Sequence, residues 1–230
     1  MIGIIGALTM EVELLTAALE NRETAVISGI TFNTGTLCGH CAVIAVSGAG
    51  KVNAAVCAQI MITVYHADRI INTGVAGGIA SQLRQGDMVI ASALVQHDMD
   101  TTGVGDPLGF ISGIGMVEIP CDTATVDAVR AIADKASDYN TISGIVATGD
   151  QFIADKQKTA WLAERFNAVA CEMEGGAIAQ VCCMAGIPFA VLRCISDNAD
   201  GSAGVSYVEF GAAAAKRSAQ LLIDYVGGLD

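Results

Sequence analysis

Short apolar runs alternate along the chain with segments of helical spacing, and glycines mark most of the changeovers. Met1–Gly6, built on isoleucine, predicts a buried strand. Met10, Leu14, Leu15 and Leu19 then recur at helical spacing, predicting a helix over Met10–Glu20 with Thr9 as its N-cap. Ala25–Ile27, Ile30–Leu37 and Cys41–Val46 predict antiparallel strands joined by glycine turns. Further along, the pattern predicts a helix at Val52–Tyr65 and strands at Asp68–Asn72 and Met88–Val95. A helix from Thr123 to about Ser137, a strand at Ile142–Thr148 and helices at Ala154–Phe166 and Tyr207–Tyr225 complete the series. Thr101–Val117 is glycine-rich and carries neither period, so a surface loop is expected there.

The segment 168–200, AVACEMEGGAIAQVCCMAGIPFAVLRCISDNAD, organises the rest. Two apolar runs, Ala168–Cys171 and Phe189–Ile195, each end in carboxylates, with Glu172 and Glu174 after the first and Asp197 after the second. The helical stretch Ala177–Ala185 and the stop at Gly186 lie between them. This strand–helix–strand unit predicts parallel strands whose acidic ends face one crevice, where open α/β sheets bind ligands. Two acids in such a cleft can divide the acid and base roles, whereas the same acids could simply cap helices. Glu11, in the first turn after the first strand, has the same two readings.

Composition narrows the choice. At 53% hydrophobic and 16% charged, the 230 residues can bury a large core, and 5% aromatics make that core aliphatic. The net charge of −12 disfavours nucleic acid and anionic membrane surfaces as partners and favours a small neutral or cationic ligand. The opening MIGIIGALTMEVE has no basic leader, and no uninterrupted apolar run has membrane-spanning length. The expectation is a soluble, cytoplasmic protein whose 8 cysteines are reduced.

Local motifs add less. Cys38-Gly39-His40-Cys41 has the spacing of a dithiol motif, but the β-branched run Val43–Val46 after it predicts a hairpin turn and not the helix that such a motif opens. Ser47-Gly48-Ala49-Gly50-Lys51 lacks the glycine and the hydroxyl of a Walker loop, yet a glycine loop feeding a helix can hold a polar ligand group. Thr73–Gly78 is not a dinucleotide fingerprint. His97, Asp98 and Asp100 read as hydrogen-bonded loop residues, and no metal site is expected. Phe152, just past a strand end, could stack on a flat base.

Taken in order, GIIGALTMEVELL, SGAGKVNAA, INTGVAGG, TGDQFI, CEMEGGAIAQV and RCISDNAD resemble the methylthioadenosine/S-adenosylhomocysteine nucleosidases of the purine nucleoside phosphorylase-like superfamily, nearly end to end. The resemblance implies a single α/β domain over residues 1–230, with a central mixed, twisted sheet flanked by helices, usually as a homodimer. It implies irreversible hydrolysis of an adenine N-glycosidic bond without metal or organic cofactor. By position, Asp197 matches the acid that protonates departing adenine, Ser196 the residue that holds it, and Glu11 the base that activates water. Met173 and Glu174 match the ribose contacts, and Phe152 and Ile153 the adenine slot. Gly77 matches the floor of the site, and Arg193 a polar residue near the water.

Some positions depart from the family pattern. Leu8, Ala49 and Val104, the last at a position contributed by a partner subunit, are smaller or softer than the residues common there, which implies a roomier pocket for the alkylthio tail. Val75 replaces a serine near the sugar, and Tyr207 replaces a phenylalanine beside the tail. The main rival is a purine or uridine nucleoside phosphorylase, which would gather arginines around phosphate. Gly6–Val12 and Gly74–Ala80 carry no arginine, and Glu11 stands where phosphate would bind. A noncatalytic nucleoside-binding protein is the other alternative, and the intact set of Glu11, Glu174 and Asp197 argues against it.

Overall fold

The computed structural model describes residues 1–136, 138–199 and 203–229, excluding the side chains of 205–207. Its elements run β1 (Ile2–Gly6), α1 (Thr9–Ala17), β2 (Glu20–Ile27), β3 (Ile30–Leu37), β4 (His40–Val46), α2 (Lys51–Thr63), β5 (Arg69–Gly78) and β6 (Met88–Gln96). They continue with β7 (Ile119–Pro120), α3 (Thr123–Ala133), β8 (Thr141–Thr148), α4 (Lys156–Phe166), β9 (Ala168–Glu172), α5 (Gly175–Ala185), β10 (Phe189–Asp197) and α6 (Ala203–Gly227). The strands form one mixed sheet in the order β10-β6-β8-β9-β5-β1-β4-β3-β2, with β7 on β6. A further pairing of β10 with β5 closes β5, β10, β6, β8 and β9 into a ring.

Burial explains the run-like strands. β1 lies between β4 and β5, parallel to both, and all its residues are buried. Strands covered on both faces need apolar residues at every position, so IGIIG shows no alternation. β10 is likewise buried throughout, including Arg193, Ser196 and Asp197. α6 packs against β10, β5 and α1. No helix among the described residues is long and apolar enough to cross a membrane.

The parallel crossover expected over 168–197 does not form. β10 runs parallel to β5, from Phe189 opposite Ile70 to Asp197 opposite Gly77. β9 instead meets the end of β5 antiparallel, with Cys171 opposite Gly77 and Ala170 opposite Gly78. The ring accounts for this, because the long strand β5 serves both neighbours and β9 arrives from β8, to which it is parallel. The acidic ends of β9 and β10 still converge, by closure of the sheet and not by a shared strand direction.

Smaller corrections concern boundaries. The N-cap of α1 is Leu8, with Thr9 already helical, and α1 ends at Ala17, so Glu20 opens β2. β2 is an exposed hairpin strand whose Glu20–Thr24 half is polar throughout, which hides it from a hydrophobic pattern. α4 begins at Lys156, where the side chain of Asp155 caps it. α3 stops at Ala133, and Ser137, its expected end, lies outside the described residues. The expected loop 101–117 contains a 3₁₀ turn at Thr102–Val104 and a bridge between Ile111 and Met116.

Candidate active site

Glu11 is fixed by the way the chain leaves β1. As the third residue of α1, it turns its carboxylate back on the helix start, where Oε2 accepts the N–H groups of Ala7 (2.7 Å) and Leu8 (2.9 Å). Oε1 accepts the Val75 N–H of β5 at 3.0 Å. The side chain is therefore both a helix-start acid and a buried group held between two strand ends. Burial pushes its pKa above the ordinary carboxylate value, against the opposing effects of the Arg193 charge and the three backbone donors.

Glu172 and Glu174 take different parts. Glu172 closes the start of α5, where its Oε2 accepts the N–H groups of Glu174 (3.0 Å) and Gly175 (2.7 Å). The same carboxylate is ion-paired with Arg193 and accepts the Thr148 hydroxyl. Burial alone would raise its pKa, but the Arg193 charge and these donors outweigh it and hold it below the ordinary value. Glu174 is the N-cap residue of α5, yet its side chain caps nothing there. Its Oε1 instead accepts the N–H of Gly50, the residue before α2, at 2.8 Å. Burial, and next the charge of Glu172, push the Glu174 pKa up to about 7.

Asp197 ends β10. Its Oδ2 accepts the Ser196 hydroxyl at 2.8 Å, and its Oδ1 accepts the Ala199 N–H at 2.8 Å. Both contacts fix the plane of the carboxyl group within a buried strand end.

These acids open onto one cavity of about 240 Å³. Glu11, Gly77, Phe152, Ile153, Met173, Glu174, Ser196 and Asp197 all line it, as do Leu8 and Ala49. Phe152 is half-exposed at the mouth, and Ile153 is buried. Two expected residues stand apart. Arg193 lies behind the cavity wall, 1% exposed, paired with Glu172 and donating to Asn72 Oδ1 and to the Leu192 carbonyl (3.0 Å). It reaches Glu11 by its field and not by contact. Val104 is 82% exposed on the 3₁₀ turn and does not line the cavity. The side chain of Tyr207 lies outside the described residues.

Val75 and Glu172 line the cavity too, and so do Ala7, Ala76, Gln151 and Cys171, which the sequence did not single out. Most are chain neighbours of named residues. Glu172, expected among the acids at the strand ends, lines the hollow as the last residue of β9. Cys171 gave no signal; burial pushes its thiol up to about 12, so it lines the hollow as a neutral, apolar group.

The architecture and site define a class, the phosphorylase superfamily, whose family model matches residues 1–227. Within that class, the chain is 42% identical over 223 residues to the 5'-methylthioadenosine/S-adenosylhomocysteine nucleosidase of Shewanella sediminis (strain HAW-EB3), covering 96% of each chain. The crystal structure of the nucleosidase of that name from Neisseria meningitidis, in complex with methylthio-immucillin-A, superposes with a TM-score of 0.96 at 34% identity, covering 99% of both chains. Futalosine hydrolase of Helicobacter pylori strain 26695 superposes with a TM-score of 0.94 at 33% identity, over 99% of this chain and 97% of that one. The chain belongs to the 5'-methylthioadenosine/S-adenosylhomocysteine nucleosidase family.

Proposed function

We propose that this site hydrolyses the N-glycosidic bond of methylthioadenosine and S-adenosylhomocysteine, releasing adenine and the thioribose product. The carrying observation is that Glu11, Glu174 and Asp197 open onto one hollow beside Phe152 and Ile153. Adenine is a poor anionic leaving group, so Asp197 delivers a proton to its imidazole-side nitrogen as the bond to the sugar breaks. Glu11 takes a proton from the water that forms the new C–O bond. Glu174 holds the sugar hydroxyls, and its charge with that of Glu11 stabilises the cationic sugar between the two steps. Phe152 stacks on the base, Ile153 reads its edge, Met173 packs on the ribose, and Gly77 forms the floor. Arg193 acts from behind as the counter-charge that favours ionised Glu11. Leu8 and Ala49 leave room for the alkylthio tail. No cofactor enters this scheme.

Water is favoured over phosphate as nucleophile because, among the described residues, the cavity lining holds no arginine or lysine and does hold the carboxylate of Glu11. A homodimer fits the exposed apolar side chains of Val52, Val104 and Met184, with Val104 reaching a partner's tail pocket. The proposed compartment is the cytoplasm. Incubation with methylthioadenosine, with and without phosphate, tests the reaction. Free thioribose in both arms is expected, and a sugar phosphate would overturn the reading in favour of a phosphorylase.

Two further results follow from the site. A Cβ at position 74 would stand 2.5 Å from Glu11 Oε1, so Gly74→Ala must displace the base. It is expected to lower kcat by about a hundredfold, the cost of misplacing a reacting group by roughly 1 Å. Steady-state adenine release checks this, and a rate near wild type would count against Glu11 as base. The second result concerns pH. An unfolded Glu174 releases its proton near 4.5, whereas the folded one keeps it to about 7. Folding therefore takes up a proton between those values, and the stability so gained is lost as pH rises through about 7. Glu174→Gln removes that titration. Its melting temperature relative to wild type is expected to climb from about pH 4.5 to about pH 7, and an offset independent of pH would contradict the raised carboxyl.

A further inference from the structure

We propose that Lys51, Asp98 and Asp150 form a positioning ring that fastens the base-binding loop to the loop holding Glu174, an inference that rests on the nucleosidase reading above. Three hydrogen bonds close the ring. Lys51 Nζ donates to Asp98 Oδ1 at 2.7 Å. The Asp150 N–H donates to Asp98 Oδ2 at 2.9 Å, and the Lys51 N–H donates to Asp150 Oδ1 at 2.7 Å. The three residues come from the start of α2, the segment after β6 and the segment after β8. None of them lines the cavity.

Each half of the site is one covalent step away. Gly50 precedes Lys51 and gives its N–H to Glu174 Oε1. Gln151, Phe152 and Ile153 follow Asp150 directly and line the hollow. Gly50 has φ 96° and ψ 161°, a conformation that glycine alone adopts readily. A Cβ there would come 3.0 Å from Asp150 Oδ1, so the ring and the glycine together aim the N–H at Glu174.

The ring is built to hold. Both side chains of the Lys51–Asp98 pair are only 20% exposed, so water and salt screen it less than a surface pair. Burial would raise the Asp98 pKa, but the Lys51 hydrogen bond and the Asp150 N–H bring it below the ordinary value, so it stays charged. The first turn of α2 has no acid of its own, and Asp150 supplies one from another part of the chain. Phe152, at 53% exposure, owes little of its place to burial. The segment from 149 to 155, which carries it, contains no regular structure.

A nucleoside held at its base by one loop and at its sugar by Glu174 binds well only if the two are already spaced. Loss of that spacing weakens ground state and transition state alike, which raises KM and leaves kcat near its value. Lys51→Met, Asp98→Ala, their double variant, Asp150→Ala and Asp150→Asn are compared with wild type in methylthioadenosine kinetics, with melting temperatures alongside. Each disrupting single variant is expected to raise KM about tenfold, and the double variant no more than one single, as members of one network do. Asp150→Asn keeps the oxygen acceptor for the Lys51 N–H and is expected to recover most of the affinity. A role in general stability would lower the melting temperature without this pattern. Folded single variants with wild-type KM, effects that multiply in the double variant, or Asp150→Asn as impaired as Asp150→Ala would each overturn the ring. Should Asp150→Ala fail to fold, the Lys51 and Asp98 cycle decides. A wild-type chain that releases no adenine strikes the nucleosidase reading itself, an outcome distinct from indifferent variants.

Discussion

Asp197→Asn is expected to cut adenine release by about a thousandfold while leaving the fold intact. The size is that of a positioned acid, roughly a hundred- to ten-thousandfold. The geometry says why the fold survives. Asp197 Oδ1 accepts the Ala199 N–H, and an asparagine oxygen can accept it equally. The Ser196 hydroxyl, which now donates to Oδ2, can turn to the Ala76 carbonyl 3.4 Å away and accept from the new amide. Both of these contacts keep a partner, and the transferable proton is lost. The defect should therefore shrink for a thioriboside whose leaving group departs as a stable anion, because that substrate needs no proton. Turnover of methylthioadenosine near wild type, or an equal defect on both substrates, would remove Asp197 from the acid role.

Two acids of the 168–197 unit, Glu174 and Asp197, show how far the pattern of the sequence reaches. Glu174 and Asp197 were legible because each follows an apolar run, and the strands β9 and β10 that precede or carry them are local features. The way they meet was not legible. It depends on β5 pairing with β10 over its length and with β9 at its last residues, contacts roughly a hundred residues apart in the chain. No local period encodes such a closure, so the parallel crossover was the natural reading and the ring replaced it. Glu11 was placed in the first turn of its helix, and that much followed from Met10, Leu14 and Leu15. Its third hydrogen bond, from Val75, again comes from a distant strand. Arg193 marks the other limit. An arginine within a strand that is otherwise apolar signals a buried partner, but only the fold reveals that Glu172 and Asn72 hold it behind the wall. The resemblance supplied the roles, and the fold supplied the reason why Glu172, two residues from Glu174, has the opposite pKa shift.

That contrast bears on the base. Glu11 and Glu174 are both raised by burial, and Arg193 opposes the shift at each. Glu172 takes the ion pair with Arg193 directly, leaving Glu11 and Glu174 influenced by the arginine but not neutralised by it. A base needs this condition, since a fully paired carboxylate is too weak a proton acceptor and an unsupported buried one stays protonated. Glu11→Gln tests it. The amide matches the carboxylate in size but accepts at one oxygen only, whereas Glu11 accepts at both, from Ala7, Leu8 and Val75. One of these contacts must face an N–H₂ group instead, so a modest loss of stability is expected, roughly 1–2 kcal/mol for a buried donor left unpaired. The larger effect is chemical. With no base to take the proton from water, kcat should fall about a thousandfold, while Phe152, Met173 and Glu174 still hold the nucleoside and its dissociation constant stays within a few-fold of wild type. Calorimetric titration with methylthioadenosine, possible because the variant turns it over so slowly, measures the binding, and single-turnover adenine release measures the chemistry. Unchanged hydrolysis would dismiss Glu11 as the base, and binding lost in proportion to rate would make it a substrate contact instead.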